Sequence, residues 1–197
     1  FEGQQPGHQG FRITAQEVRK LSAQEPAQQV VFPYLNGIDL LTGNASKQQT
    51  YVIDFGEMNL LEASAYPNIL GIIRDRVLPT WENNARTEGA ETGKRTGEHQ
   101  NRFQTWWLLK RRRKELILLL STLSRFIVCA RVTKRPIFSF LDSSIHPDSS
   151  LTCFAFQDDY SFGILQSHAH WLWFITKCSK LKSDYRYTPP SVFDTFS

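Results

Sequence analysis

The chain has 197 residues, long enough for one domain with a real core, and its 41% hydrophobic and 13% aromatic content excludes a disordered chain. No apolar run is longer than the five residues of "LILLL" at 116–120, so no membrane span is expected. The net charge of +4 is unevenly spread: residues 1–100 hold 9 Lys/Arg against 12 Asp/Glu, residues 101–197 hold 14 against 7. A basic half with interleaved aromatics suits either a polyanion such as DNA or an ordinary solvated surface.

Three cysteines, Cys129, Cys153 and Cys178, lie far apart. Their odd number and wide spacing predict buried thiols in a reducing compartment, with neither a disulfide framework nor a zinc site. The start has no initiator Met and nothing signal-like, and the chain reads as a portion of a longer protein.

In chain order, "TAQE" at 14–17 predicts a capping box at the head of a short amphipathic helix ending before Pro26. "VVFPYLNGIDLLTG" reads as a strand entering a Pro- and Gly-punctuated loop, and "TYVIDFG" at 50–56 as a buried strand. A helix is expected over 58–65 and another from Pro67, with Ile69, Ile72, Ile73 and Val77 on one face. Residues 83–101, polar and Gly-rich, read as a long mobile loop within a single domain spanning 1–197. "LLKRRRKELILLLSTL" predicts a helix from about 113. "RFIVCARV" and "PIFSFL" predict paired strands joined by the basic turn "TKR". "SLTCFAF" is a further strand, "YSFGILQSHAHWLWFITKCS" one or two helices, and "PPSVFDTF" a terminal helical turn. Between the last two, "KLKSDYRY" at 180–187 reads as one extended strand. Period-2 alternation then places Lys182, Asp184 and Arg186 on one face and Ser183, Tyr185 and Tyr187 on the other. That pattern fits an edge strand defended by charge, and it equally fits an ordered row of donor, acceptor and forked donor. The fold expected is α+β, a mainly antiparallel sheet with peripheral helices.

No phosphate-cradling glycine loop or nucleophile elbow occurs, so nothing points to catalysis by this chain. His168 and His170, two apart on a helix, diverge and lack further ligands at metal spacing, so both are expected to be structural. Asp158 and Asp159 are expected to cap the following helix. Trp106 and Trp107 precede Lys110, Arg111, Arg112, Arg113 and Lys114. Cations at a helix start oppose its dipole, so helix stability does not explain them. Phosphate binding would, as would a solvated charge run beside a buried Trp pair. Two rivals stand beside nucleic-acid reading: a small hydrolase, and a protein-binding domain using its Trp-rich stretches.

Read together, "VVFPYLNGIDL", "YVIDFGEM" followed by "AYP", "WWLLKRRRKEL", "RVTKR", "FGILQSHAHWLW" and "LKSDYRYTPPSVFDTF" resemble one family over nearly the whole chain and in the family's order. It is the target recognition domain of MmeI-type adenine-N6 DNA methyltransferases, found in type IIG/IIL restriction–modification enzymes. The resemblance implies a monomeric, cytoplasmic module that binds double-stranded DNA beside an upstream methyltransferase domain of the same polypeptide. That upstream region would hold S-adenosylmethionine and the Asp/Asn/Ser-Pro-Pro-Tyr/Phe catalytic motif, both missing here, and a nuclease can be fused to it. The family continues "FDTF" with Pro-Trp-Pro, where this sequence has Ser197.

The resemblance also assigns site residues. Lys182, Asp184 and Arg186 match positions that read base edges, and the chemistry agrees, since Lys donates to guanine and Asp accepts from the cytosine amine. Ser149 and Ser150, counted back from "FGIL", match further readout positions whose hydroxyls leave the base open. Arg131, Lys134 and Arg135 fit phosphate or base contacts from the hairpin turn, and Lys110, Arg111, Arg112 and Arg113 fit backbone contacts.

Overall fold

The computed structural model describes residues 1–43, 50–93, 96–181 and 184–196. The fold is α+β with mainly antiparallel sheets. The chain divides into two compact units, one formed by Gln5–Phe32 with Gln49–Arg112, the other by Phe1–Gln4, Pro33–Gln48 and Arg113–Ser197.

Strand β1 (Arg12–Thr14) runs into helix α1 (Ala15–Ser22) through the expected capping box. The Thr14 hydroxyl accepts from the Glu17 N–H, and the Glu17 carboxylate accepts from the Thr14 N–H. Strand β2 (Val31–Leu35) leads to helix α2 (Gly37–Leu41), where a loop was expected. Asn36 is the reason: its side-chain oxygen accepts from the Ile38 and Asp39 N–H groups at 2.8 and 3.0 Å, so the Asn-Gly pair caps a helix. Strand β3 (Thr50–Ile53) pairs antiparallel with β1, Ile13 opposite Tyr51.

Helices α3 (Leu60–Ala63) and α4 (Pro67–Arg76) follow, with Pro67 in the first turn and Ile69, Ile73 and Val77 buried. Residues 83–101 are not a long loop. Helix α5 (Leu78–Thr92) runs through the first half of that stretch, and helix α6 (Glu98–Gln104) takes up its end. Composition misleads here because only two side chains, Trp81 and Ala85, supply the buried face, one turn apart. Gly93, at φ 66°, ends α5 in the left-handed conformation that glycine adopts without penalty.

The other unit starts from helix α7 (Lys114–Leu120) and strands β4 (Arg125–Ala130), β5 (Val132–Thr133), β6 (Phe138–Asp142), β7 (His146–Pro147) and β8 (Leu151–Phe154). Helices α8 (Asp159–Gln166) and α9 (His168–Lys177), strands β9 (Ser179–Leu181) and β10 (Asp184–Arg186), and helix α10 (Pro189–Val192) complete it. Strand β4 is central, antiparallel to β6 on one side and β8 on the other. Its alternation fills two cores. Phe126, Val128 and Ala130 pack with Leu116, Leu120 and Leu40, while Ile127 and Cys129 pack with Leu165, Phe174 and Tyr187. A strand buried on both faces reads as one continuous apolar run, as "FIVCA" does. Burying each large side chain contributes about 1.5–3 kcal/mol.

"KLKSDYRY" is not one strand. Strands β9 and β10 form a hairpin, Asp184 opposite Leu181 and Arg186 opposite Ser179. Nor is β10 an edge, since it also pairs with β5, Arg186 opposite Val132. Polar–aromatic alternation signals extended backbone equally well on the two arms of a hairpin, so it could not reveal the reversal. Lys182, with Ser183, lies outside the described residues.

Candidate functional site

Arg131 stands where the chain passes from one sheet to the next. Ala130 ends β4 and Val132 begins β5, and the Arg131 backbone is fixed from both sides. Its N–H donates to the Ser150 carbonyl and its own carbonyl accepts from the Tyr187 N–H, each at 2.8 Å. The same bonds bring residues 149–150 and the end of β10 beside it.

Asp148 shapes the turn that carries the two serines. Its buried carboxylate accepts from the Tyr34 hydroxyl at 2.6 Å through one oxygen and from the Ser150 N–H at 2.8 Å through the other. The Ser149 N–H donates to the Gln4 carbonyl, and the Leu151 N–H closes the turn on the Asp148 carbonyl. Helix α2 docks on this turn. The Gly37 N–H donates to the Ser150 Oγ at 2.8 Å, and a Cβ at Gly37 would lie 3.2 Å from the Ser150 carbonyl.

These elements enclose a cleft of about 410 Å³. Four residues assigned from the sequence line it: Arg131, Ser149, Ser150 and Arg186. The remaining wall was not foreseen. Gly37, Ile38 and Leu41 come from α2, and Val132 from the start of β5. The signal available was Asn36 followed three residues later by Asp39, a capping pattern inside the stretch expected to be a loop.

The cations divide into paired and unpaired sets. Glu2 places one carboxylate oxygen on Arg131 and the other, at 2.7 Å, on Arg113. Lys110 pairs with Glu98, and Arg112 lies 3.2 Å from the buried carboxylate of Asp54. Three of the four cations at 110–113 thus have internal partners, whereas Arg111 is exposed with no side-chain partner among the described residues. Lys134 and Arg135 are exposed on the turn after β5, and the Arg135 guanidinium lies 5.6 Å from the Trp171 ring centre. Arg186 has no ion-pair partner among the described residues. Asp184 Oδ1 is shielded from solvent and has no hydrogen-bond partner among them.

Other side chains singled out in the sequence have these places. His170 is buried, its Nδ1 2.9 Å from the Leu165 carbonyl and its Nε2 3.0 Å from the Tyr187 hydroxyl, while His168 is exposed. Asp158 caps α8 by accepting from the Ser161 N–H, and Asp159 pairs with Arg125. All five tryptophans are buried or half-buried. Trp107 donates to the Met58 carbonyl and Trp173 to the Val192 carbonyl. Among the described residues no His/Cys/Asp/Glu group could hold a metal ion, and no helix is long and apolar enough to cross a membrane.

No curated protein matches the chain. A solved structure of the type IIL restriction–modification enzyme MmeI in complex with DNA matches its fold at a TM-score of 0.70 and 16% sequence identity. The match covers 99% of this chain but only 24% of that one. A family model described as the MmeI target recognition domain covers residues 1–197, and the chain belongs to that family.

Proposed function

We propose that the chain reads DNA sequence for a restriction–modification enzyme, as the specificity module of an adenine-N6 DNA methyltransferase. The observation that carries this reading is the convergence of Arg131, Ser149, Ser150 and Arg186, from three separate segments, on one cleft of a chain in a target-recognition family. The solved relative was seen in complex with DNA.

The groups suit base edges. Arg186 offers a forked donor to guanine O6 and N7. Ser150 Oγ accepts from the Gly37 N–H and keeps its hydroxyl hydrogen to donate to an acceptor edge. Asp184 keeps its assignment from the family resemblance, as an acceptor for a cytosine amine. Lys182 keeps its assignment from the family resemblance, as a donor to guanine. Arg111, Lys134 and Arg135 supply phosphate contacts.

S-adenosylmethionine and the methyl-transfer residues belong, in this proposal, to the methyltransferase domain of the same polypeptide, which works as a cytoplasmic monomer. The test is modification-sensitive sequencing of the host genome. One short motif with N6-methyladenine, absent when the gene is deleted, is expected. A genome unchanged by the deletion overturns the assignment.

A further inference from the structure

We infer that helix α2 is an additional base-reading element, with Ile38 making the apolar contact to a thymine 5-methyl group. The inference rests on the DNA-reading function proposed above and adds a residue type that no sequence motif had assigned.

Ile38 is 74% exposed, Leu41 42% and Val132 36%, and all three line the cleft that holds Arg131, Arg186 and the two serines. Three exposed aliphatic side chains gathered on one concave surface call for an occupant. The helix cannot turn them inward. Leu40, on its opposite side, is embedded in the core with Leu116, Phe126 and Leu151. Asn36 caps the N-terminus and Gly37 is bonded to Ser150, so the short helix is fixed at both the cap and the turn. Residues three apart share a helix face, which puts Ile38 and Leu41 outward together. Ile is branched at Cβ and so stiff, with little rotamer entropy to lose on contact.

The surroundings select the occupant. An apolar peptide would bury the Arg186 guanidinium without an acceptor, at a cost. A DNA major groove presents guanine acceptors to Arg186 and thymine methyl groups to aliphatic side chains, within one surface. Double-stranded RNA fits poorly, because its major groove is too narrow to enter and uracil has no methyl. Asp39, the one acid on α2, is turned to the Asn36 amide at 2.6 Å, which limits its repulsion of the backbone.

The test uses the full chain and duplexes selected from a random pool. Each thymine in the preferred site is replaced in turn by deoxyuracil, and affinities are measured for the wild type, Ile38→Ala and Leu41→Ala. We expect one position where uracil weakens wild-type binding about fourfold, the factor that ~0.8 kcal/mol for one methyl-sized group corresponds to. Ile38→Ala should lose that discrimination, with an unchanged salt slope. A preferred site in which no thymine shows the effect, or in which Ile38→Ala retains it, overturns the inference and leaves the DNA-reading function standing. A wild type that selects no site overturns both. Because Ile38 is exposed, its truncation should leave the unfolding midpoint unchanged, so lost binding cannot be confused with lost fold.

Discussion

Glu2 holds Arg131 by a charge-assisted bond through one carboxylate oxygen while the other engages Arg113, so a single acid fixes a cleft arginine and a second guanidinium together. Glu2→Gln keeps the shape and removes the charge. Both arginines then become available to phosphate, and the slope of log K against log salt should steepen by ~0.9 for each that takes one. Discrimination between preferred and scrambled duplexes should fall, because Arg131 is no longer aimed. Salt titrations on both duplexes check this. Weaker binding at an unchanged slope would remove Glu2 from any role in aiming Arg131.

The basic residues should separate by their internal partners. Lys134→Gln and Arg135→Gln remove exposed cations, and each should flatten the salt slope by ~0.9 with little change in preferred sequence. Arg112→Gln should instead leave the slope alone and lower stability by roughly 1–3 kcal/mol, through the lost bond to buried Asp54. Denaturant unfolding and salt titration of the three variants distinguish these effects.

His170 should make the fold sensitive to acid. Burial lowers its pKa below the usual imidazole value, and the Leu165 carbonyl and Tyr187 hydroxyl fit the neutral ring with the proton on Nδ1. The unfolded chain takes up the proton first as pH falls, so stability is full above about 6.5 and declines below it toward the folded value. His170→Phe should cost ~1–3 kcal/mol by leaving the buried Tyr187 hydroxyl without that partner, and should abolish the histidine's share of the pH dependence. Unfolding midpoints at pH 8 and 5.5 measure both, and added zinc should change neither.

Thiol chemistry gives a simple check on the core. Burial pushes the Cys129 and Cys153 thiols up, Cys153 to about 12, and only Cys178 is partly accessible. A thiol reagent at pH 8 should label Cys178 in the native chain and the other two only after denaturation.

Local signals in the sequence were dependable where a few neighbouring residues decide the outcome. "TAQE" gave the capping box, Pro67 the first turn of α4, and "RFIVCARV" with "PIFSFL" a pair of strands. Signals that depend on distant partners were not. α5 and α6 fill a polar stretch because they meet each other, Trp81 facing the His99 ring and the Gln100 amide donating to the Ala85 carbonyl. The reversal inside "KLKSDYRY" follows from β5 pairing on the other side of β10, fifty residues away in sequence. The family resemblance named Ser149, Ser150, Arg131 and Arg186, and their convergence became visible only with the switch of sheets at Arg131. The start of α2 was signalled by Asn36 and Asp39, but nothing local in the sequence placed Ile38 and Leu41 at a cleft.

The central claim is that the cleft reads bases, and Arg186 is its most direct probe. The measurement is a binding-site selection from random duplexes with the wild type and Arg186→Ala, side by side at one salt concentration. The account predicts one preferred site for the wild type, and for the variant the same site with a single G·C position relaxed and a cost of ~1–3 kcal/mol. An identical preferred site at every position for both proteins, with affinity retained, would contradict it.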